Sequence, residues 1–211
     1  MQLKLREYQD QDFNELEKII RETWHYDEFS SYKTAAKLAQ VFLSSCLTNY
    51  TFSQVAVLKG KVVGIILAKN MKQHKCPLKH RIKQFSAILS LYLLKEGRKV
   101  LKIFENASKI DKQLLKTCNI PYSAELSLFV VSSSCRGLGI GKKLFLSTIE
   151  YMKTQKMDNF YLFTDTSCNY GFYEHQGMIR RCEKEYNFNI NNQLAKMKFF
   201  IYDYSYNIKQ Q

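Results

Sequence analysis

An unbroken apolar run, Leu126 to Val131, feeds almost directly into Ser134-Cys135-Arg136-Gly137-Leu138-Gly139-Ile140-Gly141-Lys142-Lys143. Three of the chain's eight glycines fall within five residues of this loop. A helical pattern follows from about Leu138 to Thr154, with Ile140, Leu144, Thr148, Ile149 and Met152 on one stripe. Few folds accept that order. Glycine lets the backbone turn tightly and approach a ligand closely. The helix start offers unpaired N–H groups and a positive dipole end. Arg136, Lys142 and Lys143 add full charges, so the segment reads as a cradle for a phosphate-bearing ligand.

The surrounding pattern is mixed α/β. Leu3-Lys4-Leu5-Arg6 alternates as a short strand, and Asp10 or Asp12 is placed to cap a helix carrying Phe13, Leu16, Ile19, Ile20 and Trp24. A second helix is expected over 32–47. Gln54 to Leu58 and Val62 to Ala68 form a hairpin around Lys59-Gly60-Lys61. Two or three helices then fall at 82–94, 100–104 and 110–115, and Pro121 closes that segment. Ala124 to Val131 is apolar nearly throughout and suits a central strand covered on both faces. After the helix come a strand at 160–164 and a short helix at 170–176, with Gly177 as its left-handed stop. Two closing strands are expected at 179–190 and 196–204, around Asn191-Asn192-Gln193. The expected fold is a mostly antiparallel central sheet of about six to seven strands flanked by helices, all in one domain over 1–211. The helical segment 71–120 is an insertion after the third strand.

Charge sharpens the reading. The net charge is +13, and 71–120 alone contributes twelve Lys/Arg against three acids. Such a patch attracts acidic substrates, polyphosphates, nucleic acid or an anionic membrane surface, or it is a solvated face. No interleaved aromatic and basic strand pattern of the RNA-binding kind is present, which disfavours nucleic acid. Met1-Gln2-Leu3-Lys4-Leu5-Arg6-Glu7 has no apolar signal region, and the longest apolar stretch, Phe85 to Leu94, is about half a membrane span. Six cysteines without a C-x-x-C pair read as reduced thiols in a cytoplasmic protein. His74, Cys76 and His80 have ligand-like spacing without an evident fourth ligand, so no metal is expected.

The ordered features resemble the GNAT N-acetyltransferase superfamily. The resemblance rests on Phe129-Val130-Val131 ending a strand, Arg136-Gly137-Leu138-Gly139-Ile140-Gly141 opening a helix, and Phe172-Tyr173-Glu174-His175-Gln176-Gly177-Met178 downstream. It spans the chain except 71–120. Dinucleotide folds need G-x-G-x-x-G and an acid about twenty residues on. Here the spacing is G-x-G-x-G, and Asp165 lies too far along. A P-loop lacks its four-residue gap and its Lys-Ser/Thr pair.

The resemblance implies acetyl-CoA as co-substrate, bound in a gap between the strands at 126–131 and 160–164. Main-chain groups of Phe129, Val130 and Val131 would meet the pantetheine arm. Backbone N–H groups from Arg136, Gly137, Leu138, Gly139, Ile140, Gly141 and Lys142 would hold the pyrophosphate. The implied activity is direct acetyl transfer to a primary amine of a small molecule or peptide. Tyr173 would be the acid for the leaving thiolate and Glu125 the base for the ammonium. Cys135 and Cys168 lack the His and Asn or Asp partners of a catalytic thiolate and read as bystanders. The acceptor pocket would come from the helices at 13–47, around Trp24, His25, Tyr26, Glu28, Phe29 and Tyr32. A homodimer is compatible with this reading. The alternative is a non-catalytic module on the same fold that binds acyl-CoA or nucleic acid.

Overall fold

A computed structural model describes residues 2–190 and 193–205 of the chain. Its strands are β1 (Leu3–Arg6), β2 (Phe52–Leu58), β3 (Lys61–Asn70), β4 (Ala124–Val131), β5 (Asn159–Asp165), β6 (Ile179–Ile190) and β7 (Gln193–Ser205). They form a seven-stranded sheet in the order β1-β2-β3-β4-β5-β7-β6. Every neighbouring pair is antiparallel except β4 and β5. The helices are α1 (Phe13–Thr23), α2 (Tyr32–Leu47), α3 (Leu78–Tyr92), α4 (Lys95–Cys118), α5 (Ile140–Thr154) and α6 (Gly171–His175).

The two sheet faces are covered by different helices. On one face, Leu16, Ile20 and Leu38 of α1 and α2 pack over Ile65, Leu128 and Val130. On the other, Ile140, Leu144 and Met152 of α5 pack over Ile66, Leu126 and Phe160. The stripe read from the α5 sequence is therefore its buried face. Further along, Ile110 and Leu114 of α4 cover Tyr161, Phe199 and Ile201. The start of α4 is latched to α2: the Glu96 carboxylate accepts from the Ser31 N–H at 3.0 Å and from the Ser31 hydroxyl at 2.6 Å. A carboxylate at a helix N-terminus satisfies orphan donors and meets the positive dipole end.

Several expectations change. Segments 100–104 and 110–115 belong to one 24-residue helix, α4. The residues between them carry little apolar periodicity but no helix breaker, so nothing interrupts the hydrogen-bond ladder. It stops at Asn119, which adopts the left-handed conformation (φ 49°). Helix α5 begins at Ile140 rather than Leu138, and β7 begins at Gln193. Asn191 and Asn192 of the expected turn lie outside the described residues. Asp12 makes no side-chain cap for α1; its carboxylate instead takes a bidentate pair of 2.6 Å bonds from Arg6. The reading of six reduced thiols is also corrected. Cys118 at the end of α4 is disulfide-bonded to Cys182 on β6, a pairing across 64 residues that spacing alone does not reveal.

One packing contact carries a prediction. Where α4 crosses the end of α3, a Cβ on Gly97 would sit 2.1 Å from the Leu91 carbonyl oxygen and 2.8 Å from its Cδ1. In an open helix Gly→Ala gains about 1 kcal/mol. Here the backbone must separate, and overpacking costs roughly 1–3 kcal/mol. Gly97→Ala is expected to lower the unfolding midpoint in a thermal melt, whereas an unchanged or raised midpoint would contradict the contact. Gly141→Ala is the control, since its Cβ would meet Phe129 at an ordinary 3.5 Å.

Candidate active site

The site begins with an irregularity in β4. Leu67 pairs with Leu128 but Ala68 pairs with Leu126, so Ser127 is the extra residue of a β-bulge. Before it, Ala124 and Leu126 face α5; after it, Leu128 and Val130 face α1 and α2, while Phe129 and Val131 face α5. The bulge coincides with a parting of strands. β4 and β5 are paired only at Ala124–Phe160 and Glu125–Tyr161. Beyond those pairs β5 follows β7 and β4 follows β3, which opens a wedge in the middle of the sheet.

That wedge is a cavity of about 520 Å³, within the size range of ligand sites. The whole stretch Leu126–Val131 lines one wall, with Phe163 and Thr164 of β5 opposite. Trp24 and Phe42 (ring centroids 5.1 Å apart) reach in from the α1/α2 side. Along this wall the β4 edge facing β5 is unpaired, so it offers main-chain donors and acceptors to an extended ligand.

At one end of the wedge lies the glycine loop. Gly137 and Gly139 adopt φ of +77° and +73°, conformations that L side chains rarely take. Gly139 caps α5, and the first α-type bond runs from the Lys143 N–H to its carbonyl. The N–H groups of Gly139, Ile140, Gly141 and Lys142 find no backbone acceptor among the described residues. These are the orphan donors of a helix start, and the cavity lies against them. Arg136 and Lys142 also line it, and both are solvent-exposed. The arrangement suits an anion.

Tyr173 on α6 reaches the same cavity, its ring 6.3 Å from Phe129 and 5.9 Å from Tyr202. Burial pushes its pKa well above the ordinary tyrosine value, with Cys168 and Asp165 adding to the effect. The phenol therefore keeps its proton through the neutral range. The helix is fixed by the next residue: Glu174 accepts from Arg180 at 2.8 Å and from the Tyr202 hydroxyl at 2.5 Å.

Glu125 stands apart. It sits at the closed end of the wedge, where β4 and β5 still pair, and is not among the residues lining the cavity. Its carboxylate is 2.8 Å from the Lys69 ammonium and accepts from Asn49 at 3.2 Å. The structure thus brings Tyr173, the β4 wall and the glycine loop together, and leaves Glu125 outside that group.

A sequence model of the Acetyltransferase (GNAT) family matches residues 108–178, which run from α4 through β4, the loop, α5 and β5 to the end of the Phe172–Met178 signature. The match covers 71 of the chain's 211 residues. Solved structures of the same fold cover nearly the whole chain. A ribosomal-protein-alanine N-acetyltransferase from Brucella melitensis aligns over 96% of this chain and 99% of its own, at 14% identity and a TM-score of 0.56. An N-acetyltransferase from Staphylococcus aureus Mu50 aligns over 97% and 99%, at 13% identity and 0.54. PH1933 from Pyrococcus horikoshii OT3 aligns over 98% and 100%, at 16% identity and 0.57. At these identities the likeness concerns the fold. No curated protein matches the chain.

The remaining reactive groups of the chain have structural surroundings. Cys135 is buried in the α5 core. Cys168 lines the cavity, but burial, with Asp165 adding, raises its pKa, so it is held as a thiol rather than a nucleophilic thiolate. His80 is buried edge-on against Tyr50 at 5.9 Å, and His74 hydrogen-bonds the Thr48 carbonyl at 2.9 Å. Among the described residues, no group of three His, Cys, Asp or Glu is arranged to hold a metal ion. No helix among them is long and apolar enough to cross a membrane.

Sequence reasoning missed one part of the site and one partly buried acid outside the cavity lining. The turn after β5 (Ser167, Cys168, Asn169) forms part of the cavity wall, and only its place after a strand end hinted at this. Asp111 on α4 was also passed over. Burial pushes its carboxyl up to about 7, with the Asp165 and Glu125 charges adding. It reads as an ordinary surface acid in a basic helix, and only the packing of α4 over β5 reveals otherwise.

Proposed function

We propose that the protein is an acetyl-CoA-dependent N-acetyltransferase that moves an acetyl group directly to a primary amine of a small molecule or peptide. The observation that carries this is the wedge itself, a main-chain edge on β4 that leads to unpaired N–H groups at the start of α5. GNAT enzymes take their acetyl group from acetyl-CoA. In this reading the pyrophosphate meets the Gly137–Lys142 backbone, with Arg136 and Lys142 adding charge. The pantetheine arm lies along Phe129, Val130 and Val131 as an added strand would. The neutral amine nitrogen attacks the thioester carbonyl, the carbon–sulfur bond breaks, and Tyr173 gives its proton to the departing sulfur. The proton lost by the new amide nitrogen passes through water to restore the phenol. A protonated thiol at Cys168 favours direct transfer over an acetyl-cysteine intermediate. A base role for Glu125 requires an acceptor that enters on the Asn49 side, where the carboxylate already pairs with Lys69. The acid role of Tyr173 therefore has the more direct support.

The test is a thermal shift. A ligand at a hundredfold its Kd stabilises the folded state by about 2.7 kcal/mol. Saturating acetyl-CoA is expected to raise the midpoint of the unmodified protein, and Gly139→Glu to abolish the rise. The glutamate would adopt an unfavourable left-handed φ and place a carboxylate in the anion site. No shift in the unmodified protein would sink the proposal.

A further inference from the structure

Helix α3 is amphipathic in the unusual sense, with large apolar side chains facing away from the protein. Its inner face is settled: His80 and Leu91 are buried, and Gln84 bonds the Ser45 hydroxyl of α2 at 3.1 Å. At about 100° per residue, Leu78, Ile82, Phe85, Leu89 and Leu93 fall in one arc of about 80°, opposite His80 and Leu91. Their exposures are 72%, 61%, 68%, 47% and 71%. Scattered exposed apolar residues need no explanation, but a contiguous crest does.

The surrounding charge says what covers it. Helix α3 contains no Asp or Glu. Exposed Lys79 and Arg81 flank the crest, Lys72 and Lys75 precede the helix, and Lys95 and Lys99 follow it. Two copies of α3 laid together would bring like charges face to face, with no acid on either helix to neutralise them. The cations also extend beyond both ends of the helix. A flat anionic surface meets the crest and the flanking cations together.

We infer that α3 is a docking helix for an anionic lipid bilayer. The apolar crest enters the headgroup boundary, and the flanking Lys and Arg side chains contact acidic headgroups. This is the physics of interfacial helices that lie on a membrane without spanning it. It does not depend on the chemistry assigned to the wedge.

The test is flotation with phosphatidylcholine vesicles, with and without roughly one-third phosphatidylserine. The full chain is expected to float with the acidic vesicles and to partition at least about tenfold less onto neutral ones. Ile82→Glu with Phe85→Glu is expected to lower partitioning at least about tenfold, and Lys79→Glu with Arg81→Glu to do the same. Phe85→Ser is the milder variant, and far-UV circular dichroism checks that each retains its helices. Three results would overturn the inference: no flotation with acidic vesicles, equal flotation with neutral ones, or wild-type flotation of the folded crest variants. A fourth is a solution dimer that Phe85→Glu dissociates, which would assign the crest to a second copy of the chain.

Discussion

Tyr173→Phe is expected to reduce kcat for acetyl transfer by about 10²–10⁴-fold while leaving acetyl-CoA affinity and stability unchanged. The substitution removes one oxygen. The ring contacts with Phe129, Phe172 and Tyr202 remain. Among the described residues the hydroxyl has no hydrogen-bond partner in the protein, so no structural bond is lost. In the proposed mechanism, what disappears is the O–H offered to the departing sulfur. Because the pKa of Tyr173 lies above its ordinary value, this residue is expected to add no downward limb to the pH–rate profile below about pH 10. Steady-state kinetics with an amine substrate, set beside acetyl-CoA thermal shifts, separates the two quantities. An unchanged kcat would remove Tyr173 from the mechanism.

Asp111→Asn is expected to stabilise the protein at pH 8 by about 2–4 kcal/mol and to change little at acidic pH. Its folded pKa, about 7, is raised above the ordinary 3.8. Between those values the folded state holds the proton more tightly than the unfolded chain does. Stability contributed by this group is therefore complete below about pH 4, falls as pH rises through the window, and is flat above it. Asparagine cannot ionise, so the variant lacks that loss. Urea unfolding of both proteins at pH 5 and pH 8 measures the difference. A variant that loses as much as the parent between the two pH values would show that Asp111 is not the group responsible.

What the sequence made legible was local. The apolar run of β4, the glycines after it and the stripe of α5 are contiguous, and each carries its own periodicity or backbone signature. The Lys59-Gly60 turn is of the same kind, with φ of 50° and 80° as a tight hairpin requires. What escaped was assembled by tertiary packing. Trp24 and Phe42 meet over the wedge because α1 and α2 lie side by side on β3 and β4, and no spacing rule pairs residues 18 apart on different helices. Asp111 looks solvated in sequence because Lys109 and Lys112 surround it. Its burial comes from the other side, where α4 crosses β5. The split of α4 into two expected helices has a similar origin. Ala107 is a small contact residue between Ile103 and Ile110, too weak a signal to bridge two stronger ones.

The bulge at Ser127 sets the parity of β4. In a regular strand, odd and even positions keep their faces from end to end; here the assignment reverses halfway. Leu126 and Phe129, three apart, share a side, and the phenylalanine stands beside Tyr173 because of one supernumerary residue. Deleting Ser127 would therefore return β4 to plain alternation and leave Phe129 and Val131 on the α5 side. Smoothing out the bulge while keeping all eight residues would instead turn Phe129 and Val131 toward α1 and α2, and Leu128 and Val130 toward α5. An alignment scored on hydrophobicity would scarcely register the difference, although the two sides of the sheet would have exchanged their linings.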